Sequence, residues 1–195
     1  MELGGIIAYL VSLAIMAGIY AVFCMGLNIQ WGYTGLFNIG IAGFFCIGAY
    51  ASAMITTPKP TGIYAHYVHQ LFGFNLPFLI GLLGAAVICG IIAFLIGIPT
   101  LKLREDYLAI ATLGIAETFR LIFNNEQWLA NGSRGLMGLP QPLQGLVDSR
   151  HYNYIYLIII VLVVIVVYIS IEKAIRSPWG RVLRAIREDE VSAAM

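Results

Sequence analysis

The chain has 195 residues, of which 60% are hydrophobic and 11% charged, with a mean hydropathy of +0.87 and a formal net charge of +1. Soluble domains carry about 25% charged residues, so this composition excludes an ordinary soluble domain and points to an all-α polytopic integral membrane protein. The near-neutral balance, with no basic run interleaved with aromatics, gives no sign of a nucleic-acid partner.

Five transmembrane spans are expected, at 6–27, 36–57, 76–98, 107–123 and 153–171, since roughly 20 apolar residues cross a bilayer core. The N-terminus has no basic n-region or small-residue cleavage site and reads as a retained span. From Leu3 to Pro58 there is no Asp, Glu, Lys or Arg. Inside that run, residues 28–50 (NIQWGYTGLFNIGIAGFFCIGAY) make a poor ordinary helix. Gly32, Gly35, Gly40, Gly43 and Gly48 each cost about 1 kcal/mol against Ala in a helix interior. Asn28, Gln30, Thr34 and Asn38 add polar groups that hydrocarbon cannot satisfy.

Two readings of this segment stand side by side. Gly-interrupted helices near the midplane build transport paths, which makes Gly32, Gly35, Asn38, Gly40, Gly43 and Gly48 candidate residues of a translocation path. Alternatively, the glycines only let helices pack closely.

Pro58 and Pro60 end the second span, Pro77 opens the third in its first turn, and Pro99 is expected to stop it. Ala86-xxx-Gly90 and Ala93-xxx-Gly97 have the spacing that admits a neighbouring helix. In the fourth span Glu117 and Arg120 are three residues apart and so share a helix face. An intramembrane ion pair of this kind is either a gate in the substrate path or a snorkelling Arg120 that neutralises Glu117. Cys24, Cys46 and Cys89 lie in apolar stretches and read as small buried hydrophobes.

The loops supply orientation. Lys102 and Arg104 follow the third span, and Lys173, Arg176, Arg181, Arg184 and Arg187 follow the fifth, whereas the other side holds Lys59, Arg134 and Arg150. The excess of basic residues places 99–106 and 172–195 in the cytoplasm, with 58–75, 124–152 and the N-terminus outside. The loop after the fourth span is dense in Gly, Asn and Pro and must be built of turns. His66 and His69 have helical spacing but no carboxylate or Cys beside them, so an interfacial role outweighs a metal site. Tyr152, Tyr154 and Tyr156 form an aromatic belt at the start of the fifth span.

The division follows: 1–172 is a transmembrane region and 173–195 a cytoplasmic segment. Ser177 as N-cap and Pro178 in the first turn mark a helix start. Val182, Leu183 and Ile186 make its apolar stripe. Its cations come first and its acids last, against the helix dipole, so the charges are expected to meet a protein partner. A membrane-surface helix is the alternative, although its acids would be repelled by anionic lipid. No phosphate-binding loop, zinc-protease motif or nucleophile elbow occurs, so no catalytic residue, metal or cofactor is expected.

Three blocks together resemble the permease subunits of branched-chain amino-acid ABC importers, in their LivM-like branch. The first is Gly32-Tyr-Thr-Gly35-Leu36 with Gly40, Phe44 and Gly48-Ala49-Tyr50. The second is Leu101-Lys-Leu-Arg-Glu-Asp106-Tyr107-Leu108-Ala109-Ile110, continued by Thr112-Leu113-Gly114, Glu117, Arg120 and Asn124-Asn125. The third, Ser177-Pro-Trp-Gly180 to Glu190, resembles the cytoplasmic loop that docks such permeases on their ATPases. Gly132-Ser-Arg-Gly135-Leu136 with Gly138-Leu139-Pro140 resembles the family's external loop. Glu105 departs from a usual Gly, and Ile115-Ala116 from a usual Phe-Gly.

The resemblance implies a bacterial-type inner-membrane pore made with a second, LivH-like permease. It also implies two cytosolic ATPase subunits and an external substrate-binding protein that delivers Leu, Ile or Val. ATPase coupling then falls to Gly180, Arg181, Arg184, Arg187, Glu188, Asp189, Glu190 and Ala193. Family members continue through further spans, so the sequence reads as the N-terminal part of a permease with its coupling segment cut short. Urea and short-amide permeases share the Gly-rich and coupling patterns and are the nearest alternative. A channel or gradient-driven carrier would account for the broken helix and the ion pair, but not for the charge order after Pro178.

Overall fold

The structure, a computed structural model, describes residues 2–62, 68–140, 142 and 152–188. Among these, every regular element is a helix. In chain order they are α1 (Glu2–Leu27), a π-helical segment (Asn28–Tyr33), α2 (Ile41–Thr56), α3 (Phe78–Thr100), α4 (Glu105–Asn125), α5 (Gln127–Ala130), a 3-10 turn (Gly132–Arg134), α6 (Tyr152–Arg176) and α7 (Pro178–Glu188).

Three stretches are long and apolar enough to cross a membrane: Gly4–Tyr33, Phe78–Thr100 and Tyr152–Arg176. Ile41–Thr56 is apolar but shorter. Large side chains lie open along them; Leu79, Leu83, Phe94 and Ile158 are all more than 60% exposed. Such surfaces are ordinary against lipid tails, where packing and not water expulsion joins the helices. The chain is a multi-pass membrane protein.

The chain forms two compact units. The first joins Met1–Leu36 to Leu143–Met195. Within it α1 lies along α6. Val11 and Ile15, one turn apart, are buried, and at the next turn Gly18 admits Ile160 so closely that any Cβ would overlap its Cγ2. At the far end of α6 the chain bends at Ser177, and Pro178 begins α7 as expected. The Ser177 hydroxyl, expected to cap α7, donates instead to the Ala174 carbonyl at 2.5 Å. It therefore serves the closing turn of α6.

The second unit, Phe37–Pro142, is built on α2. Helix α3 runs antiparallel to it. Gly81 meets Thr56, Gly84 meets Ile55 (a Cβ would lie 2.6 Å from its Cδ1), and Gly48 meets Cys89, whose thiol contacts the Phe44 carbonyl at 3.5 Å. Helix α4 runs parallel to α2, through Gly40 on Thr112, Gly43 on Ala116, and Tyr50 stacked on Phe123 with ring centroids 4.3 Å apart.

Several boundary expectations need correction. The second span is helical only from Ile41, not 36; before it the amides of Leu36, Ile39 and Gly40 go to the side chains of Thr34, Thr112 and Asn38. Pro77 stands before α3 rather than in its first turn, and its carbonyl accepts from Ile80 and Gly81 at 2.9 and 3.1 Å. Pro99 does not stop α3. It lies inside the helix, which runs to Thr100, whose hydroxyl donates to the Ile96 carbonyl at 2.8 Å. The small face that α3 turns to α2 carries Gly81, Gly84 and Ala85. A Cβ on Gly90 would meet nothing within 4 Å, so the Ala86/Gly90 and Ala93/Gly97 face is open in this unit.

Candidate functional site

The Gly-rich run resolves into two local arrangements, one in each unit. In the first, α1 passes into the π-helical segment without a break, since Leu27 keeps helical angles (φ −62°, ψ −39°). A π-turn holds an extra residue and widens the groove. At Gly32 the Asn28 amide oxygen occupies the place a Cβ would take, so a side chain there would have to displace it. The segment closes on its own chain: the Thr34 amide donates to the Gln30 and Trp31 carbonyls, its hydroxyl to the Gln30 carbonyl, and the Gly35 amide to the Trp31 carbonyl at 3.1 Å. Gly35 then turns the chain with φ +77°, a conformation that only glycine adopts freely. The Gln30 Oε1 is buried with no partner among the described residues.

Helix α7 sits against the same segment. Gly180 and Leu183 are its buried residues. Gly180 rests on the Ile175 backbone, where a Cβ would overlap the carbonyl oxygen and lie 2.5 Å from the carbonyl carbon. Arg184 turns back on its own helix, its Nε donating to the Gly180 carbonyl at 3.3 Å. Arg187 reaches out: its Nη1 donates to the Gly32 carbonyl at 2.8 Å. Arg181 and Glu188 are exposed. Asp189, Glu190 and Ala193 lie outside the described residues, as does His66.

In the second unit the non-helical stretch before α2 is held by side chains. The Asn38 amide oxygen accepts the Gly40 amide at 2.8 Å, and the Thr112 hydroxyl of α4 accepts the Ile39 amide at 3.2 Å. The same hydroxyl donates to the Ala109 carbonyl at 3.0 Å. Orphan amides that hydrocarbon would leave unsatisfied are thus paired. Gly40 and Gly43 are buried and needed for approach: a Cβ on Gly40 would stand 2.9 Å from the Thr112 carbonyl oxygen, and one on Gly43 2.8 Å from Ala116 Cα. Gly48 has more room, 3.4 Å from Cys89 Sγ.

Glu117 and Arg120 pair as the spacing implies. Two parallel bonds, Nη2 to Oε1 at 2.6 Å and Nε to Oε2 at 2.8 Å, join them. Both side chains are at least half exposed, on the face of α4 away from buried Leu108 and Thr112.

The loop after α4 is built around Asn131. Buried and left-handed (φ 64°), it accepts the His69 amide on Oδ1 at 3.3 Å and donates from Nδ2 to the Gly135 carbonyl at 2.9 Å. An apolar cavity of about 380 Å³ has walls that include Met54, Ile88, Phe119, Phe123 and Leu129. Thr112 and Asn131 were not expected as organising residues. Their signal was faint but present: a hydroxyl in an apolar helix, and an Asn directly before Gly. Among the described residues, no group of His, Cys, Asp and Glu could hold a metal ion.

Curated relatives agree in kind. The chain is 35% identical over 204 residues to the high-affinity branched-chain amino acid transport system permease protein LivM of Salmonella typhimurium, and 34% to LivM of Escherichia coli, each alignment covering 93% of this chain and 44% of the relative. A probable LivM of Methanocaldococcus jannaschii is 28% identical, covering 89% of this chain and 55% of that one. The chain therefore spans about half the length of the curated relatives it matches. No solved structure matches it. The family model described as branched-chain amino acid transport system / permease component matches residues 9–195, nearly the whole chain, and the protein belongs to that family.

Proposed function

We propose that this chain is part of a transmembrane permease subunit of an ATP-driven importer of branched-chain amino acids. The observation that carries the reading is the family match across residues 9–195. In this reading a LivH-like permease completes the pore, two cytosolic ATPases drive it, and an external binding protein delivers Leu, Ile or Val at the bacterial inner membrane. Residues 173–195 are the coupling segment, on the cytoplasmic side by the excess of Lys and Arg. The exposed Arg181 and Arg184 face the ATPase beside Gly180, and the coupling role extends in sequence to Glu188, Asp189, Glu190 and Ala193. Gly32, Gly35, Asn38, Gly40, Gly43 and Gly48 belong to the segment whose displacement changes access to the path. Their packing against Asn28, Thr112 and Ala116 gives that segment defined contacts to exchange. ATP hydrolysis takes place on the separate ATPase subunits.

Uptake of labelled leucine and of labelled urea into cells or vesicles carrying the assembled transporter tests this. Leucine uptake that needs ATP and survives collapse of ion gradients supports the reading. Uptake of urea alone would move the cargo to short amides, and uptake driven by an ion gradient would remove the ABC assignment.

A further inference from the structure

We infer that Arg187 ties α7 directly to the end of the π-helical segment, so that the Gly32 carbonyl is where displacement of one helix is felt by the other. The consequence for transport rests on the proposed function; the link itself does not. Arg187 and Gly32 are 155 residues apart in sequence, yet Nη1 stands 2.8 Å from the carbonyl oxygen. That oxygen belongs to the last turn of a helical stretch running from Gly4 to Tyr33. Terminal carbonyls have no partner within their helix, and the helix dipole makes that end favourable to a cation. The neighbouring carbonyls of Gln30 and Trp31 are taken by Thr34 and Gly35, while Gly32 receives the guanidinium.

Local geometry holds the arginine in place. Gly35 has no side chain, and a Cβ there would lie 3.3 Å from Arg187 Cγ, so the stem of Arg187 lies close against Gly35. At its other end α7 is fixed, with Gly180 seated on the Ile175 backbone and Leu183 buried. Seven residues separate these ends, about 10 Å of helix. Helix α7 is therefore anchored near Gly180 and linked to the π-helical segment by its last turn. Among the described residues Arg187 is the arginine of α7 that bonds outside its own helix, since Arg184 bonds to Gly180. It is a positioning residue bonded within its own unit, whereas Arg181 and Arg184 remain for a partner. The bond is exposed, so water competes for it and it can break and re-form during a cycle.

The test uses the assembled transporter in lipid nanodiscs with Arg187→Met, which keeps the stem and loses the donors, and Arg187→Lys, which keeps the charge. Hydrogen exchange without nucleotide should rise about tenfold at residues 28–36 in R187M, the loss of a charge-assisted bond, and less in R187K, with 152–176 unchanged. Cargo moved per ATP should fall severalfold in R187M while hydrolysis continues. Wild-type exchange at 28–36 in R187M overturns the link. So does loosening that extends through 152–176, which would make Arg187 a general structural residue. If exchange at 28–36 rises as expected but even the wild type shows no ATP-dependent uptake, the link stands and the importer reading falls.

Discussion

Gly180 rests its α-carbon against the backbone of Ile175, across the bend that joins α6 to α7. The joint is steric and local. The backbone on which it presses cannot rotate away as a side chain would.

Gly180→Ala should therefore open the α6–α7 joint, at a cost of about 1–3 kcal/mol, the range for overpacking a filled site. Thermal unfolding in detergent should show a lowered midpoint. Hydrogen exchange should rise first in residues 178–188. A variant as protected there as the wild type would mean that the bend absorbs the methyl group.

Thr112→Val keeps the shape of the side chain but removes the oxygen that accepts the Ile39 amide. An unpaired amide in an apolar setting costs about 1–3 kcal/mol, so this variant should be less stable than Thr112→Ser, which retains the acceptor. Equal unfolding midpoints for Val and Ser would show that the bond contributes nothing net.

Gly43→Ala places a methyl group 2.8 Å from Ala116 Cα and should push α4 off α2. Ala116→Gly in the same chain relieves Ala116 Cβ but not its Cα, so rescue should be partial. The two substitutions are in contact and should not be additive. Unfolding midpoints of the two singles and the double give the coupling directly, and simple additivity would deny the contact.

Neutralising one member of the Glu117–Arg120 pair leaves the other charge without its bidentate partner. Glu117→Gln and Arg120→Gln should each lower the amount of folded protein in membranes more than the double variant does. Quantitative blotting of membrane fractions tests this, and a double variant worse than either single would show that the charges act separately.

Much of the fold was legible in the sequence because hydropathy is a bulk signal. The long apolar runs around α1, α3 and α6 announce themselves, and Pro178 marks the start of α7. What failed depended on which neighbour a face meets. Gly81 and Gly84, or Gly90 and Gly97, could equally have faced a helix; only the position of Thr56 and Ile55 decides for the former. The π-turn was illegible for a related reason. Its residues suit an α-helix apart from Gly32, and the widened turn shows only where the Asn28 side chain comes to rest. Pro99 misled because the helix runs one residue past it, where the Thr100 hydroxyl donates to the Ile96 carbonyl. The candidate site was legible as a list of glycines and arginines, but not as pairs. The union of Arg187 with Gly32 has no local pattern, and Thr112 carries no mark of the amide it accepts.

The parallel course of α2 and α4, with α3 between them in sequence, and the union of α1 with α6 set an order of biogenesis. The α2–α3 hairpin can close as soon as both helices have left the ribosome, and α4 can then settle beside α2. Helix α1 is made first, yet Gly18 must wait for Ile160, roughly ten seconds later at about 5–20 residues per second. Within its own unit α1 thus waits for a partner that the ribosome makes much later.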